Sequence, residues 1–370
     1  MSQKRKVLFL LEAFDKGGIE KVTLDIVNHL DPDKYDITVQ TFWFGGHCQS
    51  QVAPHIRVIP FFFRRYVRGI IRLIDLLPPR LLYRLFVRKK YDVEIAASDG
   101  GAAKVISGST NPHSRKICWV HMDVVERGSK LKEFQNSDTA REIYGKYDTI
   151  ACVSQTGLNQ FRRKFGEYPD MRTVHNPLLD EEIRRKAKEN KIDQTDVIEF
   201  VTVGRLAVEK GFDRVIEASQ RLVDEGECFR VRIVGDGGMK EALCVQISRA
   251  GLEDVVILEG YAENPYPYIA AGDWYICSSL DEACPLTVGE ALILGCPVLG
   301  TDCTGVREWL EDSRYGIVME NSMDGIYEGM KHALHMDDNA YNRWQQAATQ
   351  KAEQISFKQQ FAQWQRDMIG

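Results

Sequence analysis

The chain has 370 residues, a length that favours two domains over one, and its 44% hydrophobic and 27% charged residues are ordinary for a globular protein. This composition excludes a disordered chain, a collagen and a membrane bundle. The 48 basic and 53 acidic residues give a net charge of −5, which argues against a general nucleic-acid binder held by phosphate neutralisation.

The first residues imitate a signal peptide, because three basic residues precede the apolar run 7–11, but Glu12 and Asp15 interrupt the pattern. No uninterrupted apolar run of about 18 residues occurs that could span a bilayer. The nine cysteines include no Cys-x-x-Cys pair and form no compact Cys/His cluster. They are therefore expected to be buried free thiols in a reducing cytoplasm, with neither a disulfide framework nor a metal site.

Short apolar runs alternate with helical patterns from end to end, which is typical of parallel sheets buried on both faces. The two similar halves predict two doubly wound sheets that face each other across a cleft, since open α/β sheets bind ligands outside the carboxyl ends of their strands. The predicted strands are 7–11, 37–42, 93–97, 117–120, 149–153, 200–203, 231–234, 256–258, 274–277 and 298–300.

The strongly charged segment after Pro177 contains no predicted strand, so it is assigned as the inter-domain linker. The first domain is placed at residues 1–180 and the second at 190–353. Apolar residues recur at helical spacing in the last segment, so a helix over about 354–370 is expected to pack back on the first domain.

Two glycine-containing loops follow predicted strands. Gly17 and Gly18 precede a helix, where backbone N–H groups can approach an anion or a sugar, although a plain tight turn explains them equally well. Arg205 and Lys210 follow a strand of the second half, and two cations at this spacing can converge on a diphosphate. The alternative for this second loop is a solvated basic turn.

Glu282 and Glu290 lie eight positions apart and form the most informative pattern of the chain. A proline and a glycine between and after them predict a helix over about 285–294. Glu290 then lies inside an apolar helix, where a carboxylate is costly without partners and can accept hydrogen bonds from a ribose diol. The free N–H groups near Leu286 and Thr287 can bind phosphate. A surface charge is the alternative for either glutamate.

The segments GGIE, GRLAVEKG, IVGDGG and EACPLTVGE, in this order, make the chain similar to the retaining nucleotide-sugar glycosyltransferases of family 4. The resemblance covers nearly the whole chain and implies the GT-B fold, in which two Rossmann-like α/β domains face a central cleft. It also implies a metal-independent hexosyltransferase that needs no cofactor, with a nucleotide-sugar donor that is expected to be a UDP-sugar.

The resemblance assigns roles to the donor-site residues. Arg205 and Lys210 would bind the diphosphate, Glu290 the ribose and Glu282 the transferred sugar. The wider donor set is Gly18, Arg205, Lys210, Tyr261, Glu282, Leu286, Thr287 and Glu290, with the backbone of Tyr261 at the base.

On the acceptor side the resemblance implies Gly17, Gly18 and His121, the last near the transferred sugar. A lone histidine at a strand end is otherwise often a structural residue. The catalytic candidates are Glu282, His121, Arg205 and Lys210. Cys284 stands where the family commonly has another residue and has no evident base beside it, so it is not expected to be a nucleophile.

The segment 64–90 carries nine basic residues and one acidic residue. Its basic and apolar positions repeat at helical spacing, which predicts amphipathic helices that lie on an anionic membrane surface. The alternative is a pair of domain helices with solvated basic faces. The membrane-facing candidates are Arg65, Arg68, Arg72, Arg84 and Arg88.

These features predict a cytoplasmic glycosyltransferase, peripheral at the inner face of the cell membrane, that acts on a glycan in bacterial surface-polysaccharide synthesis. The expected acceptor is a lipid-linked glycan. The alternatives are a nucleotide-sugar epimerase, a transferase for a soluble acceptor, and a catalytically silent partner subunit that binds nucleotide sugar. A nicotinamide oxidoreductase is disfavoured because neither glycine motif completes the dinucleotide fingerprint.

Overall fold

The computed structural model divides the chain into two α/β units. The first unit comprises Met1–Pro177 and Lys358–Gly370, and the second comprises Leu178–Phe357. The residues that the structure describes are 3–14, 17–43, 45–46, 48–62, 76–98, 100–121, 134, 136–193 and 195–370.

The strands are β1 (Arg5–Leu11), β2 (Tyr35–Trp43), β3 (Arg57–Phe62), β4 (Val93–Ala96), β5 (Arg115–Val120), β6 (Thr149–Cys152), β7 (Met171–Thr173), β8 (Ile198–Val203), β9 (Phe229–Val234), β10 (Val256–Gly260), β11 (Trp274–Cys277), β12 (Val298–Thr301) and β13 (Ile317–Met319). The helices are α1 (Gly18–His29), α2 (Pro79–Phe86), α3 (Gly101–Ser107), α4 (Ser137–Tyr144), α5 (Gln155–Phe165), α6 (Asp180–Lys186), α7 (Phe212–Asp224), α8 (Lys240–Ala250), α9 (Tyr266–Ala271), α10 (Leu286–Ile293), α11 (Thr304–Leu310), α12 (Met323–Leu334), α13 (Asp338–Gln354) and α14 (Phe357–Met368).

The first unit is built on a parallel sheet with the strand order β3-β2-β1-β4-β5-β6-β7. The order reverses between β1 and β4, which makes this pair the switch point of a doubly wound sheet. The C-terminal helix α14 belongs to this unit, because Trp364 is fully buried against Phe9 and Trp119. The Arg115 side chain donates hydrogen bonds to the carbonyls of Asp367 and Gly370 at 3.0 and 3.2 Å.

The second unit is built on a parallel sheet with the strand order β10-β9-β8-β11-β12-β13, and its switch point lies between β8 and β11. One hydrophobic core includes buried residues of α7, α8 and α12. Another includes buried residues of α6, α9, α10 and α13. Helices therefore cover both faces of this sheet, as expected for parallel strands that are apolar along their length.

The charged segment after Pro177 is not a linker, because it forms helix α6 within the second unit. Ile183 is buried in that unit's core, while the charges around it remain largely exposed. The acidic residues lie in the first turn and the basic residues in the last, the arrangement that the helix dipole favours. The boundary between the units therefore falls at Pro177, before the charges begin.

The cysteines are only partly as predicted. Five are buried, but Cys228 and Cys244 are exposed, and Cys48 and Cys284 are partly buried. Cys228 lies directly before β9, and Cys244 lies on α8 among exposed residues, so neither belongs to an apolar strand. Among the described helices, none is long and apolar enough to cross a membrane.

Candidate active site

The donor-site candidates of the second unit lie in loops at the carboxyl ends of its strands. Arg205 follows β8, Tyr261 follows β10 and Glu282 follows β11. Because all these strands are parallel, the loops meet at one edge of the sheet. Arg205 is exposed there, and Tyr261 is 45% exposed.

Glycines allow the loops after β8 and β9 to lie in direct contact. A Cβ atom on Gly235 would stand 1.9 Å from the carbonyl oxygen of Gly204, and one on Gly237 would stand 2.5 Å from that of Leu206. The Leu206 backbone N–H also donates a hydrogen bond of 3.0 Å to the carbonyl of Asp236. The GDGG motif thus contacts the backbone of Gly204 and Leu206, the two neighbours of Arg205.

Lys210 and Glu282 form an ion pair, in which the lysine Nζ donates to the Oε1 atom of the glutamate. Burial lowers the pKa of Lys210, but the adjacent Glu282 carboxylate raises it by more, so the net pKa lies above the usual value. The amine therefore stays cationic at neutral pH. The Ser278 hydroxyl donates to the Lys210 carbonyl at 2.7 Å, and the Leu280 N–H donates to the Glu209 carbonyl at 2.9 Å.

A second layer of contacts holds the loop that leads to Glu282. Gly211 has a φ of +63°, and a Cβ there would lie 2.3 Å from the Ser278 carbonyl oxygen, so the turn after Lys210 requires glycine. Arg214 donates to the same carbonyl and, at 2.9 Å, to the Asn321 side chain. The amide nitrogen of Asn321 in turn donates to the Leu280 carbonyl at 2.8 Å.

Glu290 lies on α10 and is 3% exposed. The Tyr266 hydroxyl, on α9, donates a hydrogen bond of 3.3 Å to its Oε1 atom. Helix α10 begins at Leu286, so the N–H groups of Leu286 and Thr287 belong to the first turn, where no intrahelical acceptor is available. The sequence did not indicate Tyr266, because it lies 24 positions from Glu290 on another helix.

The first-unit candidates also lie at the carboxyl edge of their own sheet. Gly17 precedes the first residue of α1 in extended conformation, with φ −156°, and its carbonyl accepts from the Lys21 N–H at 3.1 Å. His121 follows β5, and its ring centroid lies 4.3 Å from that of Trp119. Burial lowers the pKa of His121 to about 3, so the imidazole is neutral at physiological pH.

The remaining candidates are Cys284 and the membrane-facing arginines. Burial raises the pKa of the Cys284 thiol to about 12, which agrees with the expectation that it is not a nucleophile. Arg84 on α2 and Arg88 just after it are exposed. Arg65, Arg68 and Arg72 lie outside the described residues.

Two family models match consecutive parts of the chain. The model described as Glycosyltransferase Family 4 matches residues 16–181, and the model described as Glycosyl transferases group 1 matches residues 182–351.

Curated relatives include a Campylobacter jejuni N-acetylgalactosamine-N,N'-diacetylbacillosaminyl-diphospho-undecaprenol 4-alpha-N-acetylgalactosaminyltransferase, 29% identical over 53% of this chain and 53% of that enzyme. The match thus spans about half the length of that relative. An uncharacterized Haemophilus influenzae glycosyltransferase is 22% identical over 88% of this chain and 89% of its own. The putative colanic acid biosynthesis glycosyltransferase WcaL of Escherichia coli is 28% identical over 44% and 42%.

Solved structures share the fold at low identity. Anabaena HepE in complex with UDP and glucose has a TM-score of 0.75 and 18% identity, covering 97% of this chain and 98% of that one. Sucrose-phosphate synthase from Thermosynechococcus elongatus has a TM-score of 0.80 and 14% identity, covering 98% of each chain. The two doubly wound units and the two consecutive family matches confirm the predicted fold and family: the chain is a group 1 glycosyltransferase of family 4, with the GT-B fold.

Proposed function

We propose that this glycosyltransferase moves a sugar from a UDP-sugar to a hydroxyl of a lipid-linked glycan, with retention at the anomeric carbon, during assembly of a surface polysaccharide. The observation that carries this proposal is the Lys210–Glu282 pair at the carboxyl edge of the second sheet, in which Glu282 lies four residues before the start of α10. The HepE structures with UDP and UDP-glucose support the choice of donor. The diphospho-undecaprenol in the Campylobacter enzyme's name supports the choice of acceptor.

In this proposal Arg205 and Lys210 bind the diphosphate, together with the N–H groups of Leu286 and Thr287. Negative charge develops on the diphosphate as it leaves, and preorganised cations and N–H groups stabilise such charge strongly. The reaction then needs neither a metal ion nor another cofactor.

Glu290 accepts hydrogen bonds from the ribose hydroxyls, while the Tyr266 hydroxyl holds its carboxylate in place. The backbone of Tyr261 contacts the base. Both assignments put the nucleoside at the carboxyl edge of the second sheet.

Glu282 contacts the transferred sugar. The sugar is bonded directly to the diphosphate, so the carboxylate that touches Lys210 lies within reach of the sugar whose phosphate Lys210 binds. Gly17, Gly18 and His121, at the carboxyl edge of the first sheet, are assigned to the acceptor, with His121 also assigned to the transferred sugar. The acceptor hydroxyl attacks from the side of the leaving diphosphate, which takes its proton as the sugar–phosphate bond breaks, so no protein base is required.

The surface assigned to membrane contact includes helix α2. Its Leu82 and Phe86 are buried in the hydrophobic core of the first unit, so only part of its apolar face is exposed. Leu81 and Leu85 are nevertheless 42% and 43% exposed, beside the exposed Arg84. Exposed leucines next to arginines suit an anionic bilayer at the cytoplasmic side of the cell membrane.

The function is tested by incubating the purified chain with UDP-, GDP- and ADP-sugars, with and without an undecaprenyl-diphosphate-linked glycan. We expect slow hydrolysis of one UDP-sugar alone, transfer when the acceptor is present, an unchanged rate with EDTA, and retained anomeric configuration by NMR. An epimerised donor in the absence of acceptor identifies an epimerase instead. Turnover of no donor, despite nucleotide binding, identifies a silent partner subunit.

Site and membrane variants complete the test. Lys210→Ala should abolish transfer, whereas Lys186→Ala, which breaks a Lys–Glu pair on α6, should not.

Replacing Arg80, Arg84 and Arg88 by Gln should release the chain from anionic vesicles without changing donor hydrolysis. The matched change at Arg184, Arg185 and Lys188 of the second unit should leave vesicle binding intact. A parent chain that never binds such vesicles contradicts the membrane assignment.

A further inference from the structure

The Lys210–Glu282 ion pair is carried by two loops that are hydrogen-bonded to each other through backbone carbonyls. The Ser278 hydroxyl donates to the Lys210 carbonyl at 2.7 Å, and the Leu280 N–H donates to the Glu209 carbonyl at 2.9 Å. Neither hydrogen bond involves the charged end of Lys210 or Glu282. The charge of either side chain can therefore be removed while this connection between the loops stays in place.

The two charges of the pair are largely shielded from solvent. The Lys210 and Glu282 side chains are 27% and 18% exposed, and the Oγ atom of Ser279 lies 3.4 Å from the same carboxylate oxygen that contacts the lysine. Salt screens partly buried charges much less than surface charges. The Glu282 carboxylate therefore offsets a large part of the positive charge that Lys210 presents to a diphosphate.

UDP and a UDP-sugar differ in charge at the phosphate that carries the sugar. The terminal phosphate of UDP ionises as a phosphate monoester does, with a charge of about −1.5 to −2 near pH 7, whereas the attached sugar leaves it a single negative charge. A neighbouring carboxylate therefore repels UDP more strongly than it repels the UDP-sugar. The sugar also brings hydroxyls that donate hydrogen bonds to a carboxylate, and UDP has none at this place.

We infer that the negative charge of Glu282 makes the donor site select the UDP-sugar over UDP, and that it thereby promotes the release of UDP after transfer. The inference rests on the proposed function, in which Lys210 binds the diphosphate and Glu282 contacts the sugar. Lys210 without its partner would favour UDP, whose terminal phosphate carries more charge. The carboxylate opposes this preference, and a repulsive group directed at the wrong ligand is a common source of specificity.

A role of Glu282 in positioning Lys210 alone predicts the opposite change in UDP affinity. If the carboxylate only held the amine in place, its removal would weaken the binding of every ligand with a diphosphate. If it acts through its charge, its removal strengthens the binding of UDP. The sign of the change therefore separates the two roles.

The test compares Glu282→Gln with the parent in the full chain, by calorimetry with UDP and with uridine. Glutamine keeps the size of the side chain and its hydrogen-bonding groups but removes the charge. We expect the variant to bind UDP about 10-fold more tightly, because a like charge beside the phosphate is costly. Uridine carries no phosphate, so its affinity should be that of the parent, which also shows that the variant is folded.

Glu182→Gln is the matched control. Glu182 pairs with Lys186 at 2.6 Å on α6 of the same unit, so this variant also removes one negative charge from a Lys–Glu pair. Its UDP affinity should equal that of the parent. An equal increase in UDP affinity in both variants would reflect the net charge of the unit and would overturn the inference.

Inhibition by UDP links the binding result to turnover. Glu282→Gln should bind the UDP-sugar that the parent hydrolyses with little gain or with a loss, because the phosphate gains while the sugar loses an acceptor. UDP should then inhibit the residual donor hydrolysis at a lower concentration than in the parent.

A UDP affinity of Glu282→Gln that is equal to or weaker than that of an active parent overturns this inference and leaves the proposed function standing. A parent that binds neither UDP nor any sugar nucleotide overturns both.

Discussion

Two buried carboxylates show how position separates a structural residue from a candidate functional one. Glu94 on β4 accepts a hydrogen bond of 2.6 Å from the Tyr83 hydroxyl, and burial raises the pKa of this carboxyl. Glu290 has a comparable tyrosine partner in Tyr266. Glu94, however, lies early in its strand, away from the carboxyl edge, whereas Glu290 lies on the helix that follows β11. The sequence alone shows two acidic residues in apolar surroundings and cannot reveal either tyrosine.

Tyr266→Phe is expected to weaken UDP binding about 3- to 10-fold, because a net hydrogen bond to a charged group is worth about 1.5 to 3 kcal/mol and only part of this reaches the ribose. Calorimetry measures the change. The affinity for 2′,3′-dideoxy-UDP should be the same in parent and variant, since it lacks the hydroxyls that Glu290 is proposed to bind. Tyr83→Phe, the matched change at Glu94, should alter stability and not UDP affinity.

His121 predicts a dependence of stability on pH. Its folded pKa of about 3 lies below the value of about 6.5 in an unfolded chain, so only the unfolded state binds its proton between these values. This contribution is therefore complete above pH 6.5 and is lost as the pH falls towards 3, by at most about 1.4 kcal/mol per unit. Urea unfolding at pH 7.5, 6.0 and 5.0 should show a steeper loss in the parent than in His121→Gln. Equal slopes would exclude this role of the histidine.

At the scale of elements, the strands missed by the sequence analysis share one property. They are β3, β7 and β13, and each lies at an edge of its sheet. Edge strands are covered less completely, and β7 and β13 are only three residues long, too short to show a clear apolar pattern. Strand β3 is only partly buried and contains Pro60, and β7 has three partly buried residues. The helix of Glu290 was predictable to within one residue at each end, because proline and glycine bound it.

Neighbouring glycines of the GDGG motif allow a controlled test of how the donor loops are joined. Gly235→Ala should weaken UDP binding at least 10-fold, because its Cβ would collide with the backbone of Gly204 and displace the loop that carries Arg205. Gly238→Ala adds the same methyl group where nothing lies within 4 Å, and UDP affinity should not change. Equal affinities in the two variants would mean that the contact between the loops does not position the donor site.

The two units of the molecule carry their candidate residues at equivalent places of their sheets. Apart from Tyr261, which follows the edge strand β10, the site candidates follow strands at or beside the switch point of each sheet, β1 and β5 in the first unit and β8 and β11 in the second. Strand order cannot be read from a sequence, but the alternation of strands and helices already indicates which strand ends to inspect. The last helix, α14, belongs to the first unit, although the whole second unit lies between the two parts of the first in the sequence.

Trp364 on α14 tests whether the two units are energetically distinct. Its side chain is fully buried and its ring centroid lies 6.1 Å from that of Phe9 and 5.6 Å from that of Trp119, so Trp364→Ala should destabilise the first unit by about 3 to 5 kcal/mol. Hydrogen exchange measured by mass spectrometry should show faster exchange in the first sheet, while UDP affinity, which the proposed site assigns chiefly to residues of the second unit, stays that of the parent. Gln359→Ala, an exposed change on the same helix, should alter neither. A parallel loss of UDP affinity in Trp364→Ala would show that the second unit depends on the first for its donor site.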